Sequence, residues 1–363
     1  MKPEIKLLGI GTARPRYSMD QMEAAEMVKN FAVDSPDRNR LVPLIYQKSS
    51  VQQRGLIVLE KIGHAFKPDK VFSKMKDSED QGPTTEERMK IYKREASNLA
   101  FEASRNAMAQ ARIKPNDIDH LVTVSCTGFS APGFDIDLMK QLDLRRTVSR
   151  THIGFMGCHG AFNGFRVAQA LASQKSSSVL LAAVELCSIH FAYGSDPSQI
   201  VANSLFADGA SSAVISSREA DQPCWKLAAS GSYLFSDSEH LMKWDIGNHG
   251  FRMHLSPEIP RMIENHLKNY VIEWLNDQNL NLSDIRSWAV HPGGPRILSA
   301  VESALHLTPN SLDVSRRILT NYGNMSSATI LYIVDELIKK SYKTPCVALG
   351  FGPGLHLEIA LFI

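Results

Sequence analysis

No stretch of this sequence stays apolar over the roughly 18–20 residues that cross a bilayer, so no membrane-spanning segment is expected. The opening MKPEIKLLGIGTARPRY carries too short an apolar run for a signal peptide, and no small-residue cleavage site follows it. An excess of one charge is missing too. Forty Lys and Arg stand against 38 Asp and Glu, a formal net of +2, which argues neither for nor against a polyanion. Cysteines are few: Cys126, Cys158, Cys187, Cys224 and Cys346, odd in number, far apart and with no CxxC pair. That pattern argues against a disulfide framework and against structural zinc. A cytoplasmic globular enzyme with reduced thiols is expected, with no metal and neither nucleic acid nor a membrane as partner. At 363 residues and 44% hydrophobic composition, the chain can bury a large core in two domain-sized halves.

What is present is an internal repeat. In the first copy the helical pattern SNLAFEASRNAMAQARI precedes an Asp-Ile turn at Asp117 and the strand-like HLVTVSC. In the second, RMIENHLKNYVIEWLNDQ precedes an Asp-Ile turn at Asp284 and SWAV. Each strand enters a Gly/Pro loop (APG or HPGGP) and then a helix, DIDLMKQL or RILSAVESAL. A second strand is predicted next, then a tight glycine turn, Gly157-Cys158 or Gly323-Asn324, a helix and a buried strand, SVLLAAVEL or CVALGFG. Asp117 to Cys158 is 41 residues and Asp284 to Asn324 is 40. Alternating strands and helices predict an α/β fold of two similar halves about a pseudo-twofold axis, residues 1–218 and 219–363. A polar linker near SSREADQP separates them, and the segment from about Met19 to Arg94, with no counterpart, is predicted to be a mostly helical insertion.

A pseudo-twofold axis brings matching positions together. Cys158 and Asn324 both follow a glycine at a strand-to-helix turn, and His291, at the end of SWAV, points into the same space. In GFMGCHGAFNGF, residues 154–165, Phe162, Phe165, Ala168 and Ala172 continue an apolar stripe, so a helix begins near Cys158. Its N-terminus favours thiolate, and a facing His291 would hold that thiolate as an ion pair. Adjacent His159 is a poor partner, because successive residues at a helix start point apart. A metal site at Cys158-His159 lacks further ligands at suitable spacing. GFGPG, with Gly352 and Pro353, is no dinucleotide loop, because Pro353 interrupts it and a strand follows; it reads as a tight turn lining a cavity.

GCHGAFNG, LFADGA, WAVHPGGP, YGNMSSA and GFGPG together resemble the type III polyketide synthases, the chalcone-synthase-like branch of the thiolase fold, with a bacterial flavour. The resemblance runs from GIGTARP to GFGPGLHLE. It implies a layered αβαβα arrangement and a homodimer. By motif the family's catalytic triad falls on Cys158, His291 and Asn324. A gatekeeper phenylalanine falls on Phe191 and a second gatekeeper on Met253, where the usual phenylalanine is absent. Cys187 matches a cavity-lining position, and Ala131 stands where a partner-subunit methionine usually projects. Of the CoA-binding basic residues only Lys48 matches. Two others appear as Leu41 and Leu44, with Arg38, Arg40 and Arg54 as substitutes.

The resemblance implies that Cys158 takes an acyl-CoA starter and that malonyl-CoA extends it, with no cofactor beyond the CoA thioesters. His291 and Asn324 would donate to the malonyl thioester oxygen as CO2 departs, and closure would give a pyrone or phenolic ring. Met253, Cys187 and Ala131 hint at room for a fatty-acyl starter, hence an alkylpyrone or alkylresorcinol. The alternatives are a ketoacyl synthase III-like condensing enzyme and a non-catalytic acyl-binding homologue.

Overall fold

A computed structural model describes residues 3–31, 36–62, 65–174, 176–220 and 222–363, with backbone alone at 36–39, 61–62 and 65–68. The chain runs β1 (Lys6–Ala13), β2 (Ser18–Asp20), α1 (Gln21–Val28), α2 (Pro36–Lys48), β3 (Gln53–Gly55), β4 (Leu59–Ile62), β5 (Ala65–Pro68) and α3 (Thr85–Ala111). It continues through β6 (His120–Ser125), α4 (Phe134–Gln141), β7 (Ser149–Gly154), α5 (Gly160–Ala172), β8 (Ser178–Leu186), α6 (Pro197–Leu205) and β9 (Asp208–Ser216). Then follow β10 (Leu227–Leu234), β11 (Met242–Gly247), β12 (Gly250–Leu255), α7 (Ile259–Asp277), β13 (Ser287–Val290), α8 (Pro295–Leu305), α9 (Asp313–Tyr322), α10 (Thr329–Lys339), β14 (Cys346–Gly352) and β15 (His356–Phe362).

Two mixed sheets organise these elements. One has the order β1-β9-β8-β6-β7, with β8, β6 and β7 parallel to one another; the other has the order β10-β15-β14-β13, with β13 and β14 parallel. Strands β8, β9 and β14 are buried at every position, as strands covered on both faces must be. Helix α3 covers the outer face of the first sheet. Helices α5 and α10 fill the space between the sheets, and α7 and α8 cover the outer face of the second. Five layers, helix-sheet-helix-sheet-helix, result. Among the described residues no helix is long and apolar enough to cross a membrane.

The repeat is visible in local detail. Both Asp-Ile turns are single 3₁₀ turns closed by the aspartate, with Asp117 accepting from Lys114 N at 3.1 Å and Asp284 from Asn281 N at 2.8 Å. Two expectations change. The second strand predicted in the second copy is the helix α9: Val314, Ser315, Ile318 and Leu319 are its buried positions, spaced one and four apart, a helical stripe rather than an alternation. The segment 19–94 is only partly helical. It holds α1, α2 and the start of α3, but also the pairings β2–β3 and β4–β5 and the irregular stretch before Thr84.

Glycines set how closely α3 lies on β1. A Cβ on Gly11 would stand 2.1 Å from the Ala103 carbonyl oxygen, and one on Gly9 2.6 Å from that of Ala107. Both obstacles are helix backbone and cannot turn aside. Gly11→Ala should therefore destabilise the protein by about 3 kcal/mol and lower the thermal midpoint by several degrees; an unchanged midpoint would mean that the helix has slack.

Candidate active site

Cys158 sits on the turn between β7 and α5, with Phe155 at φ 60° and Gly157 at φ 80° before it. The helix starts two residues on, at Gly160, so the sulfur faces its N-terminal end. A Cβ on Gly157 would lie 2.4 Å from Cδ of Pro353. Only glycine lets the Cys158 loop and the GFGPG turn meet this closely. Asn324 is fixed in a comparable way after Gly323 (φ 72°). Its N–H donates to the Leu205 carbonyl and its carbonyl accepts from Ala207 N, each at 2.9 Å, so YGN is paired onto LFADGA. The Asn324 side-chain oxygen accepts from Ser326 N at 2.8 Å, which turns the amide nitrogen toward the site. His291 follows β13, its N–H donating to the Leu349 carbonyl at 2.8 Å; its side chain is fully buried, and neither ring nitrogen has a hydrogen-bond partner.

Two cavities meet at Cys158. The outer, of about 440 Å³, carries His291 and Asn324 on its wall, with Lys48 and Arg296 among its polar lining. The inner chamber is small, about 40 Å³, and is lined by Cys126, Cys187, His190, Phe191, Trp244, Phe251 and Pro353. Phe206, Met242 and Met253 border both. Ser326 Oγ donates to Cys158 Sγ at 3.5 Å and lies 3.3 Å from Cys126 Sγ.

The electrostatics follow from dryness. Burial pushes the Cys158 thiol up to about 11, against hydrogen bonds from Ser326 and Asn324 that pull it down. Burial alone pushes His291 down to about 3. The isolated thiolate and the isolated imidazolium are each disfavoured. A proton moved from sulfur to ring nitrogen would give an ion pair whose two charges offset one another. Glu185, wholly buried behind the site, accepts from Cys126 N, Thr127 Oγ1 (2.8 Å), Cys126 Sγ and Ser327 Oγ, and burial raises its carboxyl. It borders neither cavity.

Of the residues expected from sequence, Cys158, His291 and Asn324 converge. Met253, Cys187, Phe191 and Pro353 line the chambers, and Lys48 lines the outer one. Three expectations need correction. Phe191 is an inner wall residue and Phe206, in the LFADGA motif, stands where the cavities join; pairing with Asn324 holds Phe206 there. Arg54 is fully buried, donates to the carbonyls of Asn203 and Phe206 (2.8 Å for the latter), and has its guanidinium over the rings of Tyr46 and Phe191, so it cannot reach a CoA phosphate. Gly352 lines no chamber; it makes room for the His159 ring, which a Cβ there would approach to 2.4 Å. Ala131 lies in an exposed loop bordering a separate groove with Tyr92 and Phe134. Arg40 is exposed, and the Arg38 side chain lies outside the described residues. Sequence reading missed Trp244 and Met242, whose alternation along β11 carries the signal, and Arg296, the residue after HPGGP. Among the described residues no group of three or more His, Cys, Asp and Glu is placed to hold a metal ion.

The family model described as chalcone and stilbene synthases, N-terminal domain, matches residues 2–219, and its C-terminal counterpart matches 226–363. The chain belongs to the chalcone and stilbene synthase family, the type III polyketide synthases, which are acyltransferases of thiolase-like fold. It is 29% identical to the alpha-pyrone synthesis polyketide synthase-like Pks18 of Mycobacterium tuberculosis, over 98% of this chain and 90% of that one. It is 35% identical to the 1,3,6,8-tetrahydroxynaphthalene synthase of Streptomyces peucetius, over 72% of each. The crystal structure of PKS-I from the brown alga Ectocarpus siliculosus superposes with a TM-score of 0.92 at 28% identity, covering 100% of this chain and 98% of that one.

The paired titration predicts the behaviour of a variant. With His291 present, Cys158 should alkylate with iodoacetamide near neutral pH. In His291→Ala the sulfur has no base to receive its proton, and because its own value is raised, thiolate appears only as pH climbs toward about 11. Labelling at pH 7, read by peptide mass, should fall about tenfold or more. An unchanged pH profile would show that the imidazole does not take the thiol proton.

Proposed function

We propose that this enzyme loads an acyl-CoA starter on Cys158, extends it by decarboxylative condensation with malonyl-CoA, and closes the product to a pyrone. One observation carries the reading: Cys158 is the junction of two cavities, with both neutral hydrogen-bonding side chains, His291 and Asn324, on the outer one. The CoA arm enters through the outer cavity, where Lys48 and Arg296 meet its phosphates. The thiolate of Cys158 attacks the starter carbonyl and CoA leaves. Malonyl-CoA then takes the same place with its thioester oxygen toward Asn324 Nδ2 and a His291 ring N–H.

As CO2 departs, negative charge gathers on that oxygen, and a donor placed there contributes about 3 kcal/mol in the transition state. Asparagine suits the task because it donates at every pH. The enolate carbon then attacks the Cys158 thioester. The narrow inner chamber keeps water from the thioester and strengthens each hydrogen bond. Nothing in these steps calls for a metal or a redox cofactor.

The inner chamber also bears on the product. At about 40 Å³ it has room for roughly three or four water-sized positions. With Trp244 and Phe251 lining it, the chamber favours a shorter starter than the fatty-acyl one expected from Met253, Cys187 and Ala131. A short starter and a six-membered lactone suit this space, and the name of the Mycobacterium relative supports pyrone closure over a resorcinol. Incubation with malonyl-CoA and starters of graded length, with products identified by mass, tests this.

Cys158→Ala should abolish ketide products while leaving slow decarboxylation of malonyl-CoA. Asn324→Ala should depress CO2 release about a hundredfold with little change in starter loading. Normal CO2 release from Asn324→Ala would remove that residue from its role.

We further propose a homodimer through the free edge of the first sheet. Among the described residues strand β7 pairs only with β6, and Phe129 and Met156 are exposed beside it. The Ala131 loop would then lie at the contact. Phe129→Asp should shift the protein toward monomer in light scattering; a native chain already monomeric at micromolar concentration would refute the dimer.

A further inference from the structure

One buried charge has no part in the steps above. Arg54, on β3, is fully buried, and among the described residues its Nε and Nη2 have no hydrogen-bond partner. Its guanidinium lies over the rings of Tyr46 and Phe191, with Cζ 5.3 and 5.8 Å from their centroids. The neighbouring Asp208 carboxylate feels the charge, yet it accepts from Ile57 N, Ser188 N (2.7 Å) and Ser188 Oγ rather than from Arg54. As packing alone, an apolar side chain would fill this place without the cost of dehydrating a cation.

What Arg54 does engage is the end of α6. Its Nη1 donates to the carbonyls of Asn203 and Phe206, the latter at 2.8 Å, where the helix closes and negative partial charge collects. The peptide that joins Phe206 to Ala207 therefore carries a cation at its oxygen end. At its other end Ala207 N donates to the Asn324 carbonyl at 2.9 Å. A cation on the oxygen makes that N–H a stronger donor, since hydrogen bonds in a chain polarise one another. Asn324 N in turn donates to the Leu205 carbonyl at 2.9 Å, so Asn324 is gripped on both sides of Phe206. The turn before it is as tight: a Cβ on Gly323 would lie 2.9 Å from Ala207 Cβ and 3.4 Å from Arg54 Cβ. With Oδ1 of Asn324 held by Ser326 N at 2.8 Å, the backbone position fixes where Nδ2 points.

We propose that Arg54 is a positioning residue for decarboxylation: it holds the 206–207 peptide, and that peptide holds Asn324 with Nδ2 toward the malonyl thioester oxygen. The proposal rests on the condensation reading above. Arg54 lines neither cavity, so it acts only through the backbone it grips. Its effect is confined to the step that uses the Asn324 donor. A displaced amide still lets Cys158 take its starter, but it meets the developing enolate charge poorly.

Arg54→Gln and Arg54→Lys in the full-length enzyme test this. Glutamine drops the charge, and lysine keeps a cation without the planar fork that reaches two carbonyls. CO2 release from malonyl-CoA should fall about tenfold or more in each, in kcat rather than KM. Cys158 acylation by the starter, read by intact mass, should stay close to native. The deciding measurement is a double-mutant cycle. Placed in Asn324→Ala, either substitution should lower CO2 release no further, because the donor it serves is already gone. Losses that multiply across the two positions, a loss of acylation equal to that of CO2 release, or native CO2 release from either folded variant overturns the role of Arg54. Should Arg54→Gln fail to fold, Arg54→Lys decides alone. A native enzyme that acylates Cys158 but releases no CO2 from malonyl-CoA would sink the condensation reading instead.

Discussion

The centre of this molecule depends on glycine standing wherever two layers touch. Gly157 meets Pro353, Gly350 meets Phe162, Gly352 meets His159 and Gly209 meets Met325, each so closely that a Cβ would fall 2.4 Å from its neighbour. These contacts squeeze the middle helices between the sheets. They bring a turn from one sheet, with Cys158, against turns from the other, with Asn324 and His291. Were the layers a methyl group further apart, the three side chains would no longer share a cavity.

The same closeness makes the site dry, and dryness demands that nearly every polar atom be satisfied. Most are turned away from the cavities and toward backbone. Trp244 Nε1 donates to the Cys126 carbonyl at 2.8 Å. His190 donates from Nε2 to the Thr127 carbonyl at 2.7 Å and accepts from Phe251 N at 3.0 Å, which fixes its tautomer. Arg88, fully buried, donates to the carbonyls of Pro83, Ile189 and Phe191. The wall is rigid and chemically quiet as a result. What is left to react is the thiol, the unpaired imidazole of His291 and the outward amide nitrogen of Asn324.

Much of this was legible in the chain itself. The layered class followed from alternating elements, and the convergence of Cys158 with Asn324 followed from matched spacing, because both turns sit at the same place in a repeat. The misreadings share a cause. Arg54 and Arg296 are both arginines near a loop, and nothing local tells which is buried under Phe191 and which lines the cavity. Phe191 and Phe206 are both aromatic residues after buried segments; only the pairing of Phe206 with Asn324 sets it at the junction. In the second repeat α9 replaces a strand, since similarity between copies predicted more than its own buried spacing allows.

Composition, periodicity and turn residues thus determined the class, the repeat and the meeting of Cys158 with Asn324, because each depends on neighbours in sequence or on a repeat that counts residues. Tertiary structure alone decided the volume behind Cys158, the tautomer of His190, the fate of Arg54 and the meeting of His159 with His356. Those properties arise where segments far apart in sequence close to within a few ångströms, and burial there rewrites the chemistry of each side chain. Adjacent to the nucleophile, His159 looked unable to serve it. Folding gave that ring a partner, His356, from the last strand.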